Sequence, residues 1–217
     1  MSLYKIKEPE NEYILGILKG EHIHYDFEKV LNFLQTKGKL CYGNHFKIDQ
    51  ADKYIIYKLV IYMIGDEHSC LANNMDINKG ILLTGPIGCG KTSLMNLVKF
   101  LLPIKKRYKI IPARNVSYDF YKKGYETVIQ NSNAGRYCFD DLGVERYVKH
   151  YGNECNVLGE ILLSRYDLWV QKKVITHATT NLNANELETW YGNRVRSRLR
   201  EMFNLIAFDT SSKDKRK

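Results

Sequence analysis

The eight residues Gly85-Pro86-Ile87-Gly88-Cys89-Gly90-Lys91-Thr92 constrain this chain more than any other stretch. They spell Gly-x-x-x-x-Gly-Lys-Thr, and their surroundings suit that pattern. The apolar run Ile81 to Thr84 before them reads as a strand, and Lys91 to Leu102 after them reads as a helix that stops before Pro103. A glycine-rich loop between strand and helix in this pattern is a phosphate-binding loop, or P-loop. Its glycines let successive backbone N–H groups converge on phosphate oxygens with no Cβ in the way. The start of the following helix adds a dipole that favours anions. The expected contacts are Gly85, Pro86, Ile87, Gly88, Cys89, Gly90, Lys91, Thr92 and Ser93. Lys91 would reach the β- and γ-phosphates and Thr92 would offer its hydroxyl to Mg²⁺, so ATP and Mg²⁺ are the expected cofactors. Cys89 inside the loop reads as a small filler residue, with a redox switch as the alternative.

From residue 80 onward, strand patterns alternate with helical ones. Lys109 to Ala113, Arg136 to Asp140, Val174 to Thr180 and Asn204 to Phe208 read as strands. Ser117 to Gln130, Val157 to Val170, Asn185 to Tyr191 and Val195 to Met202 read as helices. This alternation predicts an α/β protein, a three-layer α/β/α arrangement around a parallel central sheet. Earlier in the chain, Phe27, Val30, Leu31 and Leu34 recur at helical spacing, and so do Ile55, Leu59, Tyr62 and Met63. A small, mostly helical region over residues 1–75 is therefore expected, ahead of a nucleotide-binding core over 76–217. No repeat or Pro/Gly-rich linker separates the two, so the boundary is soft.

Composition excludes some classes. No stretch approaches the roughly 20 apolar residues of a membrane span. The charged N-terminus does not resemble a secretory signal. The five cysteines are odd in number and none forms a Cys-x-x-Cys pair, which argues against a disulfide framework and for a reducing, cytoplasmic setting. A formal net charge of +9 suits polyanionic partners. The charge gathers at residues 105–109, 122–123, 194–200 and 213–217.

Beyond the P-loop, three segments carry candidate chemistry. Tyr137-Cys138-Phe139-Asp140-Asp141 is a short apolar strand ending in two carboxylates. Asp140 is placed to hold Mg²⁺, and Asp141 to polarise the attacking water as a general base. Glu145 follows as a reserve base or a solvated loop residue. Thr176 to Leu182 ends a strand in Thr179, Thr180 and Asn181. Asn181 is a candidate for the γ-phosphate or the lytic water, or else an N-cap, a task that Asn183 or Asn185 would also serve. His177 reads as a packed strand residue. Arg194, Arg196, Arg198 and Arg200 alternate, so on a helix they spread over several faces. They read as an arginine finger acting on a neighbouring subunit, as DNA-phosphate contacts, or as a solvated basic helix. Residues 105–126 mix basic side chains with Tyr108, Tyr118, Tyr121 and Tyr125. That mixture suits single-stranded DNA, whereas a tyrosine face packed on the core is the plainer alternative.

Taken together, Gly85–Thr92, Phe139-Asp140-Asp141-Leu142-Gly143, Thr179-Thr180-Asn181-Leu182 and Arg194 to Leu199 resemble, in order and spacing, the DnaC/IstB-type branch of the AAA+ ATPases. These are bacterial replicative-helicase loaders and transposition helpers. The resemblance spans about residues 75–210. It implies a P-loop NTPase fold of the AAA+ type, with Asp140 as metal ligand, Asp141 as base and Asn181 as sensor. Arg198 is the implied finger, with Arg194 second. Arg165-Tyr166 is similar to a paired motif of the family, with an inter-subunit or a structural role. Two features depart from the AAA+ pattern. The acidic pair ends in Asp rather than the commoner Glu. Only Thr210 to Lys217 follow the last strand, so a reduced or absent C-terminal helical lid is expected, with Lys213, Lys215 or Arg216 as candidate replacements for a lid cation.

The resemblance implies an ATPase that assembles on single-stranded DNA as an ATP-dependent homo-oligomer and loads a replicative helicase. A transposition helper working with a transposase shares the same chemistry. A nucleotide-gated adaptor with little hydrolysis is an alternative of another class, and a small-molecule phosphotransferase a weaker one. In the loaders the N-terminal region engages the helicase, which gives residues 1–75 an expected partner-binding role.

Overall fold

A computed structural model describes residues 4–9, 11–145, 148–150 and 153–216. Lys217, the last cation of the C-terminal basic run, lies outside them. The chain opens with two antiparallel hairpins, β1 (Lys5–Lys7) with β2 (Glu12–Ile14), and β3 (Gly16–Lys19) with β4 (His22–Tyr25). The helical expectation for this region holds only from residue 27 onward. Strands this short offer too few alternating positions to be distinguished by period.

Helix α1 (Phe27–Tyr42) starts at Asp26, whose side chain accepts the Lys29 N–H. Helices α2 (Lys53–Ile64) and α3 (Glu67–Ala72) follow. Strand β5 (Gly80–Thr84) then leads into the P-loop and α4 (Lys91–Val98) leaves it. Next come β6 (Lys109–Pro112), α5 (Ala113–Lys123) and α6 (Glu126–Asn131). One helix was predicted over 117–130; Gly124 divides it, and Pro112 sets the earlier start. Strands β7 (Tyr137–Leu142), β8 (Val148–His150) and β9 (Asn153–Cys155) precede α7 (Val157–Lys172). The chain closes with β10 (Thr176–Thr180), α8 (Ala184–Met202) and β11 (Phe203–Ala207). α8 is kinked at Gly192 (φ 82°), between the two helices read from the sequence. Among the described residues no helix follows β11.

Five strands form one parallel sheet in the order β11-β5-β10-β7-β6. β5 and β10 are central and almost wholly buried, as parallel strands covered on both faces must be. Helices pack on both sides. On one side Leu94, Leu97, Ile81 and Leu83 share a continuous apolar cluster with Val30, Leu34, Ile56 and Leu59. The N-terminal helices and the sheet thus bury a common core, with no gap near residue 75. On the other side Phe139, Leu158, Ile161, Ala178 and Leu199 join α5, α7 and α8 to the sheet. Arg165 of α7 is fully buried there, donating to the carbonyls of Asn133 and Gly135 and to Thr176 Oγ1. No helix among the described residues is long and apolar enough to cross a membrane.

Candidate nucleotide-binding site

The P-loop lies where β5 ends, and Gly90 is the N-cap of α4. Gly88 (φ 82°) and Gly90 (φ 101°) adopt left-handed backbone conformations that side-chain-bearing residues rarely reach. These turns fold the loop back over the first turn of α4. Cys89 is fully buried beneath it, and burial raises its thiol pKa, which fits the filler role and not an exposed redox switch. Ile87 is exposed at the loop's tip. The Lys91 ammonium donates to the carbonyls of Gly85 (2.8 Å) and Pro86 (2.9 Å), so it already lies within the loop.

Thr92 brings the metal chemistry into view. Its hydroxyl lies 2.9 and 3.1 Å from the two Asp140 oxygens, across from β7. Thr179 on β10 donates to Asp140 Oδ1 at 2.7 Å, and its hydroxyl also accepts the Asp141 N–H at 2.9 Å. Desolvation is the main force on the Asp140 carboxyl and raises its pKa; the Thr179 hydrogen bond opposes this, Asp141 adds to it, and the Thr92 hydrogen bond and Lys91 oppose it again. No group of three His, Cys, Asp or Glu side chains among the described residues forms a metal cage. A hard hydroxyl and carboxylate side by side suit Mg²⁺ completed by waters and phosphate oxygens, because Mg²⁺ seldom uses an all-protein cage.

Asp141 owes its position to a break in the sheet. β7 and β10 pair at Phe139–Ala178 and again at Leu142–Thr180, so β7 carries one more residue than its partner. Asp141 has φ 58°, in the left-handed region. It borders both a 780 Å³ cavity that holds the P-loop and a 540 Å³ cavity next to α5. Asn181, one residue beyond β10, borders the larger cavity. The N-cap task falls to Asn183, which accepts the N–H groups of Asn185 and Glu186 in a capping box. Lys91, Thr92, Ser93, Asp141 and Asn181 therefore share one cavity, with Asp140 hydrogen-bonded to Thr92 at its side. Tyr42, Phe46, Ile48 and Ile87 supply its apolar wall.

Other candidates lie elsewhere. Arg198 does not reach this cavity: it stacks on the Tyr166 ring at 5.0 Å on the outer face formed by α7 and α8. Arg196 is ion-paired with Glu188. Glu145 is not a solvated loop residue, and it lines neither cavity. It is buried and accepts from Gly143 N (2.9 Å), Trp190 Nε1 (3.2 Å) and the Tyr191 hydroxyl, which ties the loop after β7 to α8. Tyr108 is also buried, donating to the Met95 carbonyl at 2.6 Å, so it offers no stacking face. Tyr118, Tyr121 and Tyr125 are 59%, 66% and 59% exposed and do not form a core face. His177 is buried as expected, its Nδ1 accepting the Ile81 N–H.

The sequence did not single out Thr179 as the link within the acidic pair, nor the close approach of residues 213–216 to the P-loop. A strand-end Thr two residues before a sensor Asn was the available signal for the first. For the second there was only a cluster of charge.

No family model matches the chain, and no curated protein matches it in sequence. Solved structures do match its fold. The crystal structure of the DnaC helicase loader gives a TM-score of 0.53 at 17% identity, covering 84% of this chain and 99% of that one. DnaI gives 0.51 at 19%, covering 76% and 88%. The replication initiator DnaA bound to AMPPCP and single-stranded DNA gives 0.50 at 20%, covering 82% and 52%. The chain thus shares its fold, helices on both faces of a five-stranded parallel sheet with a P-loop after β5, with the DnaC helicase loader and DnaI.

Proposed function

We propose that the chain is an ATP-binding and ATP-hydrolysing AAA+ protein that acts on DNA as a helicase loader of the DnaC type. The observation that carries this reading is the Thr92–Asp140–Thr179 chain of hydrogen bonds beside Lys91. It joins the P-loop, the acidic strand and the strand that leads to Asn181, which supports reading them as one Mg²⁺–triphosphate site. Lys91 neutralises the β- and γ-phosphates, Thr92 and Asp140 hold the metal, Asp141 orients the water and Asn181 reads the γ-phosphate. The reading is also supported by the names of proteins sharing the fold, among them a helicase loader and an initiator bound to AMPPCP and single-stranded DNA.

In this reading the protein is cytoplasmic and assembles as a homo-oligomer, with the finger, Arg198 or else Arg194, reaching the neighbouring subunit's site. Its place on an outer face suits that task. Single-stranded DNA would run along α5. There Arg114, Tyr118 and Tyr121 border the 540 Å³ cavity that also touches Asp140 and Asp141. Exposed tyrosines beside cations are stacking platforms for bases. Residues 1–75 would meet the helicase. A transposition helper would use the same site with a transposase as partner.

The test is steady-state ATP hydrolysis with and without single-stranded DNA, with Lys91→Ala as control. DNA-stimulated turnover that the control abolishes is expected. Tight ATP binding without turnover in either condition would replace this reading with the nucleotide-gated adaptor. Arg198→Ala should keep nucleotide affinity and lose turnover at least tenfold; equal loss of both would sink the finger assignment.

A further inference from the structure

After β11 the chain turns back on itself. Asp209 Oδ1 accepts from the Ser211 N–H (2.8 Å) and hydroxyl (2.5 Å), and the Asp209 carbonyl accepts the Ser212 N–H at 3.0 Å. This turn directs the next residues over the P-loop. The Lys215 N–H donates to the Gly88 carbonyl at 3.0 Å. The Asp214 carboxylate lies against Gly88, so closely that any side chain at position 88 would run into it. Arg216 grips the same carboxylate through Nη2 (2.9 Å) and Nε (3.0 Å). The Lys215 ammonium is ion-paired with the buried Asp52, lies 3.9 Å from Asp49, and sits 5.4 Å above the Phe208 ring. Lys213, Asp214, Lys215 and Arg216 all border the 780 Å³ cavity together with Lys91 and Thr92.

We propose that residues 213–216 are a strap across the nucleotide cavity, and that the Asp214 carboxylate competes with nucleotide phosphates for the P-loop. The inference rests on the P-loop being the nucleotide site. The loop's turns and the start of α4 create a field that attracts anions. A carboxylate on the same chain is an anion at an effective concentration of roughly millimolar, high enough to compete with a free ligand. It lies against Gly88 on the cavity wall, held there by Arg216, so that nucleotide phosphates reaching the loop have to displace it. Nucleotide then binds chains whose strap has lifted, and the apparent affinity is the intrinsic affinity multiplied by the lifted fraction.

The latch is the second part of the device. Lys215 is neutralised by Asp49 and Asp52, which belong to the segment leading into α2. The strap therefore joins the N-terminal helical layer directly to the P-loop. A partner that moves residues 49–52 would release Lys215 and open the site, and nucleotide binding would in turn loosen that segment, because such coupling is reciprocal.

The experiment uses the full chain and a fluorescent ATP analogue, measuring affinity and association rate for wild type, Asp214→Asn, Lys215→Met and Lys91→Ala. The strap predicts about three- to tenfold tighter binding in the first two variants, carried mainly by faster association. Unchanged or weaker binding in both would overturn it, weaker binding meaning that these residues serve the nucleotide. Lys91→Ala tests the underlying reading separately: if it binds like wild type, the P-loop assignment fails whatever the strap variants do. Trypsin cleavage after Lys213, Lys215 and Arg216 gives a second readout that needs no variant. ATP should accelerate it, and an unchanged rate under saturating ATP would overturn the strap.

Discussion

His177 limits how acidic a solution this fold tolerates. It lies in the middle of the central sheet on β10 and is 6% exposed. Its Nδ1 accepts the Ile81 N–H at 3.1 Å, and its ring packs 4.6 Å from Tyr108 and 5.8 Å from Tyr62. A proton on Nδ1 would abolish that acceptor and leave a cation in the core. Burial first, then the charges of Arg136 and Arg165, pull its pKa down from 6.5 to about 3. The unfolded chain takes up this proton below about pH 6.5 and the folded chain only near pH 3, so the stability present above pH 6.5 is lost as the pH falls. Over the two units from 6.5 to 4.5, at 1.36 kcal/mol each, the loss is about 2.7 kcal/mol. The assay is urea unfolding at pH 7.5, 6.5, 5.5 and 4.5 for wild type and His177→Asn, whose amide oxygen can accept the same N–H. The variant starts weaker because the ring volume is gone. Between pH 7.5 and 4.5 it should lose about 2.7 kcal/mol less than wild type, since every other group titrates in both proteins. Two parallel stability curves would refute the reasoning.

Two further substitutions probe the site and its support. Thr179→Val keeps the side-chain shape but removes the donor to Asp140 and the acceptor for Asp141 N–H. It should cost about 1–3 kcal/mol of stability and raise the Mg²⁺ concentration needed for nucleotide binding several-fold, read by Mg²⁺ titration. Arg165→Met leaves the carbonyls of Asn133 and Gly135 and the Thr176 hydroxyl without their buried donor. A destabilisation of about 1–3 kcal/mol in urea is expected, with nucleotide affinity unchanged where the protein stays folded.

Features set by local pattern were legible in the sequence. The P-loop, the strands around it and helix α7 each follow from residues a few positions apart, and the structure places them within two or three residues of expectation. Features set by pairing across the chain were not legible. Glu145 looked like a loop carboxylate because the groups that bury it, Trp190 and Tyr191, lie some 45 residues later. Tyr108 belonged by composition to a basic, aromatic surface segment, yet the Met95 carbonyl of α4 claims its hydroxyl. The three exposed tyrosines were expected on one helix; Gly124 separates Tyr125 from the other two.

The acidic pair shows why the identity of one residue follows from such distant pairing. Thr179 on β10 accepts the Asp141 N–H, and the sheet register slips at the same point, leaving Asp141 as the extra residue of β7. That bulge forces φ to 58° at position 141. The left-handed conformation costs most side-chain-bearing residues about 1–2 kcal/mol, while Asp and Asn adopt it more readily because their short polar side chains bond locally. A Glu, the commoner residue in the AAA+ pattern at large, would have to bear that strain. The shorter carboxylate is therefore a consequence of how β7 meets β10. The bulge also lets Asp141 line the cavity of the P-loop while Asp140, one residue earlier, stays fixed between Thr92 and Thr179.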